Sequence, residues 1–169
     1  QSQTNNGGPL GVDRNDVITY TITIGNGSTA SDFDAFDIAF SDIAPSQLSF
    51  QGSGFSVTYA GGATNNGGPD FVLNTFTNSL QTAANANIDI PKGGSITIIM
   101  NGRVRSDLGS ILDIVNTAEV QWTSLNGTTS AATAGERSGI DGLINSGVLN
   151  DYRNSSSLTV PVAAGATIS

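Results

Sequence analysis

Five oxygen-bearing side chains, Glu136, Asp141, Asn145, Asn150 and Asp151, fall within one stretch that also carries Gly135, Gly139, Gly142 and Gly147. Carboxylates and amides on a flexible loop are what Ca²⁺ selects, because that hard cation collects roughly six to eight oxygens. These five are therefore candidate metal ligands, with calcium as the cation they would suit. The regular Asp-x-Asp-x-Asp-Gly spacing of an EF-hand is absent, and a solvated loop whose Asn and Asp side chains bond their own backbone explains the same composition. A second acidic group, Asp32, Asp34 and Asp37, is better explained by turn chemistry.

Other site chemistry is scarce. The chain has no histidine and no cysteine, so Ser-His-Asp and Cys-His nucleophile systems are impossible and a zinc site has neither imidazole nor thiolate to use. A carboxylate pair could serve glycoside hydrolysis, but only at a fixed separation that spacing in sequence does not fix. The expectation is that the protein is not an enzyme and requires no cofactor. Three Asn-x-Ser/Thr sequons, at Asn26, Asn126 and Asn154, lie near predicted turns or strand starts and are candidate glycosylation sites.

The elements that would position these groups are strands. Val17 to Ile24 alternates without a break, with Ile18, Tyr20, Ile22 and Ile24 on one side and Val17 with three threonines on the other; that is the period of a half-buried strand. Further strands are predicted at Phe36 to about Pro45, Phe55 to Tyr59, Phe71 to Phe76, Ala86 to Ile90, Ser95 to Arg105, Val115 to Thr123 and Ser156 to Val162. The Pro91-Lys92-Gly93-Gly94 turn suggests that the fifth and sixth of these form a hairpin. Inward positions include Ile96, Ile98, Met100 and Val104, then Ala118, Val120 and Trp122. About eight short strands and no convincing helix indicate an all-β, immunoglobulin-like antiparallel β-sandwich. The domain is placed at 13–162, with an N-terminal extension at 1–12 and a C-terminal tail at 163–169. Asn5-Asn6-Gly7-Gly8-Pro9 recurs at Asn65 to Pro69 and reads as a reused turn.

Composition narrows the setting. With 169 residues, six Lys+Arg and fourteen Asp+Glu, the net charge is −8, and clustered cations for phosphate are missing. Nucleic acid is not an expected partner. No apolar run approaches the roughly 20 residues of a membrane helix, so membrane insertion is not expected, and an N-terminal glutamine fits a processed chain. Asn, Thr, Ser and Gly replace charge as the polar surface, and no Lys or Arg occurs between Arg14 and Lys92. Both features suit an extracellular, cell-surface location.

Three stretches carry a resemblance: Asp16 to Ile24, Val115-Asn116-Thr117-Ala118-Glu119-Val120-Gln121-Trp122-Thr123-Ser124, and Gly135-Glu136-Arg137 followed by Leu149-Asn150-Asp151-Tyr152. Together they resemble the DUF11-type repeats of large bacterial surface proteins, often labelled isopeptide-forming fimbrial or adhesin domains. The resemblance spans roughly residues 13 to 162 and implies an immunoglobulin-like sandwich displayed at or beyond the cell surface. An isopeptide crosslink of that group needs a lysine amine beside an Asn or Asp carbonyl and a nearby acid to shuttle the proton. Lysine usually lies on an early strand there, whereas the only lysine here is Lys92, in a turn, so no such crosslink is expected.

The expected function is a structural subunit of an extracellular surface filament or fimbria. Copies of the chain would join head to tail, by strand donation through ends that carry Leu10, Val162 and Ile168 as subunit contacts. One repeat of a large cell-surface adhesin is the alternative, and a carbohydrate-binding module a more distant one, with Tyr59 and Tyr152 as the aromatics to examine for a glycan.

Overall fold

The structure is a computed structural model that describes residues 2–5, 11–30, 32–108, 110–123, 126 and 152–163. Among the described residues the strands are β1 (Ser2–Asn5), β2 (Val17–Gly25), β3 (Phe36–Ile43), β4 (Leu48–Ala60), β5 (Thr64–Asn65), β6 (Phe71–Asn74), β7 (Ser79–Thr82), β8 (Ile88–Asp89), β9 (Ser95–Val104), β10 (Asp113–Thr123) and β11 (Tyr152–Pro161). They build an immunoglobulin-like antiparallel sandwich. One sheet has the order β1-β2-β9-β4, the other β11-β10-β3-β7-β6, and β5 pairs with β8 in a small ribbon.

The alternation on β2 and β9 explains why these two form the spine of the first sheet. Their registers place Tyr20 opposite Met100, Ile22 opposite Ile98 and Ile24 opposite Ile96, so apolar side chains pair across the strands on one face. Ile18, Tyr20, Ile96 and Ile98 are fully buried, and they join one cluster with Ile38, Phe40, Leu80, Ile114 and Val160 of the second sheet. Each such buried aliphatic side chain contributes about 1.5–3 kcal/mol.

Two local devices shape the core. On β4, Phe50 lies opposite Gly102 and Phe55 opposite Met100, so the residues between them bulge out of register. Gly102 is required there, since a Cβ would sit 2.8 Å from the Leu48 side chain. The other device is Asn78, at φ 54° in the turn after β6, a left-handed conformation that Asn tolerates. Its amide donates to the Leu48 carbonyl at 2.7 Å and accepts from the Phe50 N–H at 2.8 Å, while its own carbonyl accepts from Ala44. One turn residue thus ties an edge of each sheet to the other.

Several sequence expectations change. The predicted hairpin between 86–90 and 95–105 is absent: Ile90 bridges to Ala35, β8 pairs with β5, and β9 is taken by β2 and β4. Proximity in sequence lost to apolar matching between distant strands. The strand predicted through Phe76 ends at Asn74, whose carboxamide caps the following turn, and Phe76 is 97% exposed. Trp122 is half-buried at the rim of the core and stacks on Tyr152, with ring centroids 5.6 Å apart. The residues expected to precede the domain take part in it: Ser2–Asn5 pair with β2, and Val12 is fully buried, bridging to Val162.

Candidate functional site

Asp42, near the end of β3, and Asn116, on β10, are both fully buried. Ala118 lies opposite Asp42, and Asn116 is two residues along the same face of β10. The Asn116 amide therefore reaches Asp42 and donates to Oδ2 at 2.9 Å. Tyr20 enters from β2 of the facing sheet and is also fully buried. Its hydroxyl, Asp42 Oδ1 and the Asn116 amide oxygen have no hydrogen-bond partner among the described residues.

Burial pushes the Asp42 carboxyl up to about 6, with the Asn116 hydrogen bond opposing the shift. Tyr20 is held well above the usual phenol range, chiefly by burial and then by the Asp42 charge. Near neutral pH the interior thus holds a neutral phenol beside a carboxyl that takes up a proton readily for its class. A carboxamide and an acid capable of proton transfer stand together, as an amide-forming crosslink needs, but no amine is present. Lys92 is exposed, and its backbone N–H is held by Asp34 at 2.8 Å in the turn beyond β8. Ala35 bridges to Ile90 there, seven residues from Asp42 along the chain and roughly 20 Å away at strand rise.

A second feature opens between the sheets. The upper half of β2, Ile22 to Gly25, faces Asn154 to Ser156 of β11 across a cleft of about 250 Å³. Ile22, Ile38, Phe40, Ile90 and Ala118 form an apolar floor, and Trp122 closes one wall. Along the neighbouring β2 edge, Ser2 to Asn5 pair with Thr21 to Ile18.

The candidate residues scatter. Glu136, Asp141, Asn145, Asn150 and Asp151, the expected calcium ligands, lie outside the described residues, as do Leu10 and Ile168. Among the described residues no group of three or more His, Cys, Asp or Glu side chains gathers. Asp32 folds back onto Thr29, and that hydrogen bonding, side chain first, lowers its carboxyl. Val162 pairs within its own chain, donating to the Leu112 carbonyl at 2.7 Å.

The Asn26 amide nitrogen, the atom a glycan would take, donates to the Phe33 and Ile90 carbonyls. That of Asn126 donates to Asp89 at 3.1 Å, whose carboxyl burial raises. Asn154 is exposed on β11, and its amide oxygen accepts from Ser155. Of the two tyrosines, Tyr59 buries its hydroxyl near Asp70 and Tyr152 is half-buried against Trp122.

The Asp42–Asn116 pair was hidden in the sequence. Asp42 sits in the apolar alternation Ile38, Phe40, Asp42, and Asn116 in Ile114, Asn116, Ala118. A polar residue at the inward phase of a strand was the signal available.

Solved structures share this fold at low identity. The major pilin subunit BcpA of Bacillus cereus superposes with a TM-score of 0.50 at 12% identity, over 95% of this chain and 38% of that one. Domains D2 and D3 of the major pilin SpaD from Corynebacterium diphtheriae give 0.49 at 17%, over 94% and 51%. The collagen-binding domain of a Staphylococcus aureus adhesin gives 0.49 at 12%, over 96% and 95%. The chain thus spans about half the SpaD fragment and nearly the whole adhesin domain. No protein-family model and no curated protein matches the sequence.

Proposed function

We propose that this protein is a structural domain of an extracellular surface fibre, of the DUF11 kind, joined head to tail with copies of itself. The observation that carries the reading is the polarity of the chain across the sandwich. β1 runs along β2 from Thr21 towards Ile18, and the last described strand ends beside Val12, whose N–H donates to Pro161. Chain approaching β1 along the β2 edge comes from the end opposite to that where Ala163 leaves, which suits copies strung in a line. Sheet edges with unpaired N–H and C=O groups favour strand addition between such copies.

The likeness to pilin and adhesin domains supports a surface role through fold, and the polar, lysine-poor composition supports an extracellular one. Stiffness then comes from packing and from ties such as Asn78 rather than from a lysine crosslink. Electron microscopy of the purified chain tests the reading: filaments with an axial repeat of one domain are expected. Particles that stay single at every concentration would sink self-assembly and leave the second reading, one bead in a longer adhesin. That alternative is favoured by the fraction of the SpaD and BcpA chains that this one spans.

A further inference from the structure

We infer that the flank of the sandwich built by β4, β6 and the turn after β6 is a pairing surface for the same flank of a second copy; this lateral contact goes beyond the head-to-tail reading and does not depend on it. Both sheets end on this side, β4 closing the order β1-β2-β9-β4 and β6 the order β11-β10-β3-β7-β6. The two edges lie together: a Cβ on Gly52 of β4 would come 3.3 Å from the Thr75 side chain, one residue past β6, and Asn78 of the same turn bonds Leu48 and Phe50. From Phe55 to Ala60, β4 runs in unbroken register with Met100 to Ser95 of β9, the bulge lying before Phe55. Alternate residues of an antiparallel edge strand turn N–H and C=O away from their own sheet, and among the described residues no strand takes those of β4. Proteins that keep such an edge single blunt it with lysine, proline, an inward charge or a bulge. Phe55-Ser56-Val57-Thr58-Tyr59-Ala60 has none of these.

Charge identifies the partner. Each copy carries a net charge of −8, so two copies repel across most of their surfaces. Between Asp42 and Asp89, however, the only charged residue is Asp70, whose carboxylate accepts from the Asn65 amide, and that stretch builds β4 to β7. Apolar Val72 and Phe76 stand exposed on it instead. This is the side on which a second copy meets least repulsion. Burial points the same way. Ile96 and Ile98 of β9 are fully buried, whereas Tyr59 and Val57 opposite them are half-buried, a shortfall that one more strand beyond β4 makes up. The edge is also complementary to itself. A two-fold axis through Val57, perpendicular to the sheet, sets β4 antiparallel to its copy, with Phe55 opposite Tyr59 and Ser56 opposite Thr58, each pair on one face. Two four-stranded sheets then continue as one, and because both copies use the same patch the contact closes into a pair.

Analytical ultracentrifugation of the full chain over a range of concentrations, with amide hydrogen exchange read at Phe55 to Ala60, tests the pairing. Thr58 and Ser56 are exposed on β4, so Thr58→Lys and Ser56→Lys each place a charge on the edge without entering the core. The expected result is a concentration-dependent pair whose Kd rises at least tenfold in either variant and stays unchanged in Thr117→Lys, on the exposed outer face of β10. The amides of β4 that face away from β9 should exchange more slowly as the pair forms. A pair that both edge variants leave intact, or that Thr117→Lys weakens equally, overturns the inference. So does a chain that forms no pair at any concentration, and so does slow exchange of those outward amides in the dilute monomer, which would mean that the chain covers its own edge. Electron microscopy keeps the two contacts apart: filaments one domain wide that Thr58→Lys leaves unchanged support head-to-tail joining while overturning the lateral pair.

Discussion

The centre of this sandwich and the cleft beside β2 differ in what they bury, polar atoms in one and apolar side chains in the other. Between the sheets, Tyr20, Asp42 and Asn116 bury three polar atoms without hydrogen-bond partners among the described residues. At the edge, Ile22, Ile38 and Phe40 floor a cleft that reaches the surface. Burying polar groups without hydrogen bonds costs free energy, whereas Ile22, Ile38 and Phe40 are each only 4% exposed and belong to the core. Stability alone would have placed aliphatic side chains in the first site. The buried polar site is therefore the one that folding stability alone does not explain.

Four substitutions sharpen or break that contrast. The largest effect is expected from Tyr20→Lys, which supplies the interior with the amine it lacks. Attack of that amine on the Asn116 side-chain carbonyl forms a new C–N bond and expels ammonia, with Asp42 moving the proton. The intact mass falls by one ammonia, and closing a loop of roughly 100 residues raises stability by about 4–5 kcal/mol. An unchanged mass would show the pair to be a hydrogen bond and nothing more.

Next in size is Asn116→Ala, which leaves a buried carboxyl without its donor. Chemical denaturation should show a loss of about 2–4 kcal/mol at neutral pH; a loss below ~1 kcal/mol would mean that the interior tolerates the orphaned group. Asp42→Asn addresses pH. Because burial pushes the folded-state pKa up to about 6, above the ordinary aspartate range of about 4, native Asp42 holds a proton that the unfolded chain releases. Stability from this group is full below about pH 4 and is lost as pH rises through about 6, by roughly 2–3 kcal/mol. The variant should flatten that slope in melts between those limits, and an unaltered slope would place the titration elsewhere.

The smallest effect on folding is expected at the edge. Ile24→Thr, at the half-buried rim of the cleft, should change unfolding free energy by less than about 1 kcal/mol in chemical denaturation. A change of several kcal/mol would make the cleft part of the core.

Much of the scaffold was legible because alternation has a single cause. Ile18, Tyr20 and Ile22 on β2 and Ile96, Ile98 and Met100 on β9 recur at period two since each strand buries one face, and all six are buried. Phe76 was misread as a strand residue because its composition continues β6, whereas Asn74 ends that strand by capping the next turn. Ile88–Asp89 looked like half a hairpin because a turn follows it, yet β9 found better apolar partners in β2 and β4.

The candidate site was less legible. The residues that drew attention first, the acidic and amide group from Glu136 to Asp151, stand out by composition and lie outside the described residues. The two that meet, Asp42 and Asn116, are 74 positions apart, each an ordinary polar residue in its own strand.

The sequence by itself determined that this chain builds sheets, that it lacks the imidazole and thiol of most active sites, and that its one lysine stands in a turn. Those are properties of residue type and local period, which a single strand expresses alone. Only the tertiary structure buries Asp42, Asn116 and Tyr20 between the sheets, and only it pairs β9 with β2 and β4 instead of with its neighbour in sequence. Each of these depends on which distant strands pair and in what register, and pairing is settled by burial across the whole sandwich.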